Sequence, residues 1–253
     1  MKQVQKLGVQ LLTLRKHIKT YEDMEKTFRR IKNMGYDALY INDGGVEYRQ
    51  IVDLAKSSDL EIIGTTYDIK TLMEDTENVL ENCHYSGSYS VGIYKEVMFT
   101  NEMYERFCER ANSLGRILSE YGGKLVYNHH AREFSRLPEG KTGMDILKEL
   151  LDPAYTSFAV NTFWLQNAGM DIRKFISDMS GRIEILRLQD AGICMDYLRT
   201  NPALGTGNMY WEGIMEAARE ADVKSYIVEN EKLLGNIMDC LEESSRFIHE
   251  YYM

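Results

Sequence analysis

Short apolar runs alternate along this chain with stretches at helical spacing, in a repeat of roughly thirty residues. The first strand is predicted over Leu7–Thr13. A helix follows over Tyr21–Asn33, where Met24, Phe28 and Ile31 recur on one face, and Gly35 closes it. Further strands are expected at Ala38–Ile41, Leu60–Thr65, Tyr89–Tyr94 (the weakest), Leu125–Asn128, Ser157–Asn161, Ile183–Leu188 and Tyr226–Glu229. Helices are expected at Asn101–Tyr121, Trp211–Glu220 and Ile237–Tyr251. Eight β–α units in order imply parallel strands with helical crossovers. With three prolines and no low-complexity linker, the pattern predicts an α/β fold, a single (β/α)8 TIM barrel over residues 1–253. An open doubly wound sheet is the alternative.

Composition narrows the function classes. A hydrophobic content of 44% supports a sizeable core, and 253 residues match the ~250 typical of such a barrel. The net charge of −9 argues against binding nucleic-acid phosphates. No apolar run approaches the ~18 residues of a membrane span, and no leader-like segment opens the chain, so a cytoplasmic protein without a membrane partner is expected. Cys83, Cys108, Cys194 and Cys240 are widely spaced and read as buried, reduced thiols.

Barrels keep their chemistry at the carboxyl ends of strands and in the loops that follow. The run GGKLVYNHHAREF, ending at Phe134, places two of the five histidines side by side where a strand stops. Side chains alternate faces, so Asn128 and His130 share one face, and Tyr127 and His129 the other. For the pair alone, a buried core histidine beside an exposed one is an equal reading. Other predicted strand ends repeat the polar pattern: Asn42 and Asp43; Thr66, Tyr67 and Asp68; Glu133; Asn161 and Trp164; Arg187, Gln189 and Asp190; Glu229 and Glu231. Asp43 and Asp68 read better as loop solvation or helix caps. Asn161, Arg187 and Glu229 interrupt apolar strands on the inward face. The Gly205-Thr206-Gly207 loop reads as a turn rather than a phosphate cradle.

These strand ends resemble the sugar phosphate isomerase/epimerase family of xylose isomerase-like barrels. GVQLLTLR resembles its opening strand, and Asn112 and Gly115 stand where its fourth-to-fifth-strand helix carries them. KLVYNHHAREF is similar to its Tyr–His-Asn-His–Glu-Phe strand, NTFWLQNAGMD to its Asp-Thr-x-Trp…Ala-Gly segment, and LRLQD to its His-Leu-Lys-Asp strand. Gly205 and Gly207, then Val228 and Glu229, complete the series.

The resemblance implies a divalent ion held from strands five to eight, polarising a hydroxy-ketone while acid–base groups move the adjacent proton. Carried over by residue, Glu229 matches outright. Asn161 stands for the strand-six aspartate, Arg187 for the strand-seven histidine, Gln189 for its lysine, Tyr40 for a strand-two glutamate and Thr66 for a strand-three histidine. A guanidinium cannot ligate a metal. At ~4 Å from a divalent ion it is repelled by roughly 8 kcal/mol at an effective dielectric of ~20. No cofactor is therefore expected; the alternative is a Mn, Mg or Zn ion held through rearranged ligands, with His129, His130, Glu133 and Glu229 converging.

Two functions follow. One is a metal-independent enzyme moving a proton next to the carbonyl of a small keto-sugar or polyol. In it Arg187 stabilises the oxygen, Glu229 or His130 is the base, and Trp164, Asn161, Asn128, Gln189, Glu133 and Tyr67 bind substrate. The other is a non-catalytic barrel that binds a sugar or acid, or serves as a partner subunit, with Arg187 and Glu229 paired structurally. A homo-oligomer is compatible with either.

Overall fold

The computed structural model describes residues 6–42, 46–93, 97–196, 198–231 and 235–253. Eight parallel strands close into a barrel: β1 (Leu7–Gln10), β2 (Ala38–Asn42), β3 (Glu61–Tyr67), β4 (Ser90–Ile93), β5 (Lys124–Asn128), β6 (Thr156–Asn161), β7 (Ile183–Leu188) and β8 (Ser225–Val228). Each pairs with its sequence neighbour and β8 pairs with β1, so no strand is left as an edge. The open-sheet alternative is excluded. Helices α1 (Tyr21–Asn33), α2 (Val46–Ser57), α3 (Ile69–Glu74), α4 (Thr76–Ser86), α5 (Asn101–Ser119), α6 (Gly143–Leu150), α7 (Thr162–Asn167), α8 (Ile172–Asp178), α9 (Trp211–Glu220) and α10 (Ile237–Tyr251) form the outer layer. No described helix is long and apolar enough to cross a membrane.

Local signals start the helices as expected of N-caps. Thr20 accepts from the Asp23 N–H, Asp68 from Thr71, Asp171 from Lys174, and Thr142 with Asp145 makes a reciprocal capping box. Asp68 is thus a cap, as its sequence context suggested; Asp43 lies outside the described residues.

The first strand is shorter than expected. It stops at Gln10, and Leu11–Leu14 forms one turn of 3₁₀ helix that buries Leu11, Thr13 and Leu14 while Leu12 stays exposed. A short apolar run does not distinguish a strand from a tight helical turn. The fourth strand is Ser90–Ile93; Tyr94, its expected end, lies outside the described residues. Cys83, Cys108 and Cys240 are buried as expected, whereas Cys194 is half-buried just past the first strand of a two-stranded ribbon (Gly192–Ile193 with Arg199–Thr200) after β7.

Two apolar regions hold the barrel. The larger lies between strands and helices, and includes Phe28, Leu39, Phe107, Tyr127, Phe158, Leu186 and Leu241. The smaller fills the barrel interior with Tyr40, Val126, Ala159, Ile185 and Ile227, and Ile63 against them. That inner cluster is the floor on which the polar residues stand.

Candidate functional site

Strand periodicity decides which side chains share the barrel mouth. Two residues beyond Val126, Ala159, Ile185 and Ile227, on the same face, come Asn128, Asn161, Arg187 and Glu229. Gln10 lies in register with the inward Tyr40, and Asn42 with Thr66. The result is a polar layer over an apolar floor.

Its centre is an ion pair. Arg187 donates through Nε to Glu229 Oε2 at 2.8 Å and through its second terminal nitrogen to Oε1 at 2.7 Å. The two side chains are only 5% and 1% exposed. Such a two-point pairing is among the stronger charge-assisted arrangements. Burial by itself would lower the Arg187 pKa; the Glu229 carboxylate outweighs it and holds the proton more tightly than usual. The remaining terminal nitrogen, NH1, lies 3.5 Å from Asn128 Oδ1, a long contact.

Asn161 ties this pair to its surroundings. Its Nδ2 donates to Glu229 Oε2 at 3.1 Å and to Gln189 Oε1 at 2.8 Å, while its Oδ1 caps α7 by accepting the Trp164 N–H at 3.0 Å. An aspartate here would turn an oxygen toward the Glu229 carboxylate; the amide supplies donors instead. Asn128 faces Tyr40, with Oδ1 and Nδ2 each 3.2 Å from the hydroxyl, and its Nδ2 also donates to the Ile93 carbonyl. Burial pushes the Tyr40 hydroxyl up to about 12.

The two histidines part company as strand alternation requires. His129 is fully buried against Phe134 and Phe175. Its Nε2 accepts the Asn161 N–H at 3.0 Å, which leaves the proton on Nδ1, 3.2 Å from the His130 carbonyl oxygen. It is a strap between the ends of β5 and β6, and burial lowers its pKa to about 3. His130 turns to the mouth and packs on Trp164, ring centroids 5.4 Å apart. Burial, reinforced by the Arg187 cation, lowers its pKa to about 4, so the ring is neutral near pH 7.

Tyr67 and Glu133 do not stand at the mouth. Tyr67 ends β3 on the opposite face from Thr66 and belongs to the cluster between strands and helices. Glu133 is buried behind the β5 loop; one oxygen accepts from the Tyr127 hydroxyl and the other from the His130 N–H, each at 2.9 Å. Its contribution is to hold the backbone that carries His130. Because His129 and Glu133 face away from the mouth, the ligand set His129, His130, Glu133 and Glu229 does not converge.

The residues present do not suit a divalent ion. Glu229 spends its oxygens on Arg187 and Asn161, a fixed cation stands beside it, and among the described residues no three His, Cys, Asp or Glu side chains are grouped to hold a metal.

Two features of the mouth, Gln10 and the strand glycines Gly64 and Gly92, were missed by sequence reasoning, and Asp190 was read as a polar strand end without its partners. Gln10 points inward at the end of β1. Gly64 and Gly92 make room for Tyr40: a Cβ on Gly92 would lie 2.4 Å from the Tyr40 hydroxyl and 2.7 Å from Asn128 Nδ2, and one on Gly64 2.6 Å from Tyr40 Cε2. Glycines inside strands signal such close approach. Asp190 is buried, and its Oδ2 accepts from the N–H groups of Gly205 (2.9 Å) and Gly207 (3.1 Å) and from Trp211 Nε1 (2.8 Å). The glycine loop is therefore a turn wrapped on the protein's own carboxylate.

Closed barrel and polar strand ends together define a (β/α)8 TIM barrel with its candidate site at the carboxyl ends of the strands. The solved structures similar to this chain are of that class. A sugar phosphate isomerase/epimerase from Parabacteroides distasonis aligns with a TM-score of 0.84 at 17% identity, over 97% of this chain and 94% of that one. A D-psicose 3-epimerase from Clostridium cellulolyticum, with D-tagatose, aligns at 0.73 and 13% identity, over 98% and 99%. In sequence, an inosose dehydratase of Mesomycoplasma hyopneumoniae is 28% identical over 149 residues, 54% of this chain and 45% of that protein. The chain thus spans less than half the length of the curated relatives it matches. No protein-family model matches. The resemblance read from the strand ends is borne out by these neighbours.

Proposed function

We propose that this protein is a metal-independent sugar isomerase or epimerase that moves a proton next to the carbonyl of a small keto-sugar or ketone derived from a polyol. The observation that carries this reading is the Arg187–Glu229 pair, seated where the resemblance would place a metal, with neutral His130 and Trp164 beside it. Arg187 keeps its loosely engaged NH1 as a hydrogen-bond donor for the enolate oxygen that develops there. Glu229, with both oxygens committed, orients the guanidinium. The base is then His130, which removes the proton from the carbon beside the carbonyl. For isomerisation the imidazolium returns it to the former carbonyl carbon while the α-hydroxyl proton passes to the former carbonyl oxygen; for epimerisation solvent water protonates the opposite face while the imidazolium gives its proton to solvent. Trp164 offers an aromatic face to the sugar.

The full commitment of the Glu229 oxygens also favours a second reading, a barrel that binds sugar without chemistry. Incubation with free ketohexoses in D2O separates the two. The enzyme reading expects deuterium to enter at the carbon next to the carbonyl, undiminished by chelator and reduced about 10²- to 10⁴-fold in His130→Asn. Saturable binding with no exchange leaves the non-catalytic reading. Stimulation of exchange by Mn, Mg or Zn overturns the metal-free one.

A further inference from the structure

We infer that the barrel mouth selects an uncharged, polyhydroxylated ligand and discriminates against its phosphate ester; this rests on the proposed reading of the mouth as the ligand site. The first ground is the pattern of buried polar atoms that have no partner among the described residues. Gln10 Oε1 and Asn42 Oδ1 are acceptors; Gln189 Nε2 and Trp164 Nε1 are donors. Gln10 and Gln189 are 3% and 0% exposed. A buried polar group left unpaired costs about 1–3 kcal/mol, so a ligand that completes these groups is favoured by them. Phosphate or carboxylate oxygens accept only. A hydroxyl donates and accepts at once, and is the group that answers a mixed set.

Charge is the second ground. Arg187, the cation at the centre of the mouth, is already neutralised by two-point pairing with Glu229, and the ligand-facing His130 is uncharged. A phosphate dianion would be desolvated there without a free counter-charge.

The third ground is the glycine loop. TIM barrels commonly seat phosphate on the loops after strands seven and eight, where backbone N–H groups converge. Here the N–H groups of Gly205 and Gly207, which follow β7, are held by Asp190. The space is closed as well: a Cβ on Gly207 would lie 2.3 Å from Asp190 Oδ1. The anion of this nest is part of the chain. A cavity of about 260 Å3 beside the ends of β1 and β8, lined by Arg15, Lys16 and Glu231 among others, is the competing seat for a phosphate. Its two basic side chains are exposed, and the acidic Glu231 shares it.

The test is calorimetric titration of the full chain with D-fructose and D-tagatose, each against its 6-phosphate, alongside deuterium exchange on the same four compounds. The expected result is binding of the free sugars at least about tenfold tighter than of the esters. Trp164→Phe, which keeps a smaller aromatic face and deletes the unpartnered Nε1–H, is expected to weaken free-sugar binding at least about fivefold. Tighter binding of the phosphate esters, or no binding of either form, overturns the inference. Binding of free sugars without exchange leaves it standing and removes the catalytic reading; preferential exchange on the esters does the reverse.

Discussion

At the scale of single residues, two departures from the pattern of the family that the strand ends resemble explain each other. Arg187 brings a permanent cation into the mouth, and Asn161 turns a would-be carboxylate into a donor toward Glu229. Either change alone would leave charges unbalanced. Deleting one partner of a buried pair typically costs ~3–5 kcal/mol, because the other charge stays buried, whereas replacing both by apolar groups is often neutral. Arg187→Met or Glu229→Leu should therefore lower the melting temperature by about 6–20 °C at ~2–4 °C per kcal/mol. The double variant should recover most of that loss. Thermal melts of the four proteins check it, and equal, additive losses would refute the pairing. Arg187 and Glu229 were legible as candidates because each breaks an apolar run; that they engage each other was one of two readings, and only the distances chose between them.

Among elements, the strands of the mouth are fitted to one another by small residues. Tyr40 of β2 reaches Asn128 of β5 across the barrel because β3 and β4 present Gly64 and Gly92 along the way. Gly92→Ala would drive a methyl into the Tyr40 hydroxyl, the Thr66 methyl (2.5 Å) and the Asn128 amide. Such overpacking costs about 1–3 kcal/mol. Adding Tyr40→Phe, which removes the atom struck first, should restore part of the stability; denaturant unfolding midpoints of single and double variants measure this, and no recovery would place the strain elsewhere. Loops follow the same logic. His130 is held at the mouth by Glu133, which grips its backbone, and by His129, which accepts from Asn161. Strand alternation assigned His129 and His130 to opposite faces in advance. Tyr67 was misplaced because β3 runs two residues past its expected end at Thr65, so strand alternation, not a loop, sets the face of Tyr67 and turns it away from the mouth. Glu133 was misassigned because its partners, Tyr127 and the His130 N–H, are brought together by a 3₁₀ turn (Arg132–Phe134) that the residue types alone do not announce.

For the molecule as a whole, the buried polar groups set a proton balance. His129 and His130 have folded-state values of about 3 and about 4, below the ordinary 6.5. Between those values and 6.5 the unfolded chain binds more protons than the folded one, so stability rises with pH there. It is complete above about 6.5 and is lost as pH falls toward 4 and then 3. Burial raises Glu133 and Asp190 instead, so just above the ordinary carboxylate range they act in the opposite direction. Melting temperature should thus climb between pH 5 and 6.5, with a smaller climb in His129→Gln; an unchanged slope in that variant would mean His129 is not held neutral.

The order of strands and helices, the parallel α/β class and the polar character of the strand ends were set by the chain's own periodicity, because alternation at two and at 3.6 residues is a local property of sequence. Closure into a barrel was decided by the pairing of the last strand with the first. What each polar group is paired with was decided by tertiary structure. Arg187 and Glu229 lie 42 positions apart, Tyr40 and Asn128 88, and Asp190 meets Gly205 only after the loop folds back. Barrel closure brings such residues within 3 Å or so of one another. At that range the chemistry of the mouth depends on which donor faces which acceptor, and residue spacing along the chain carries no record of that.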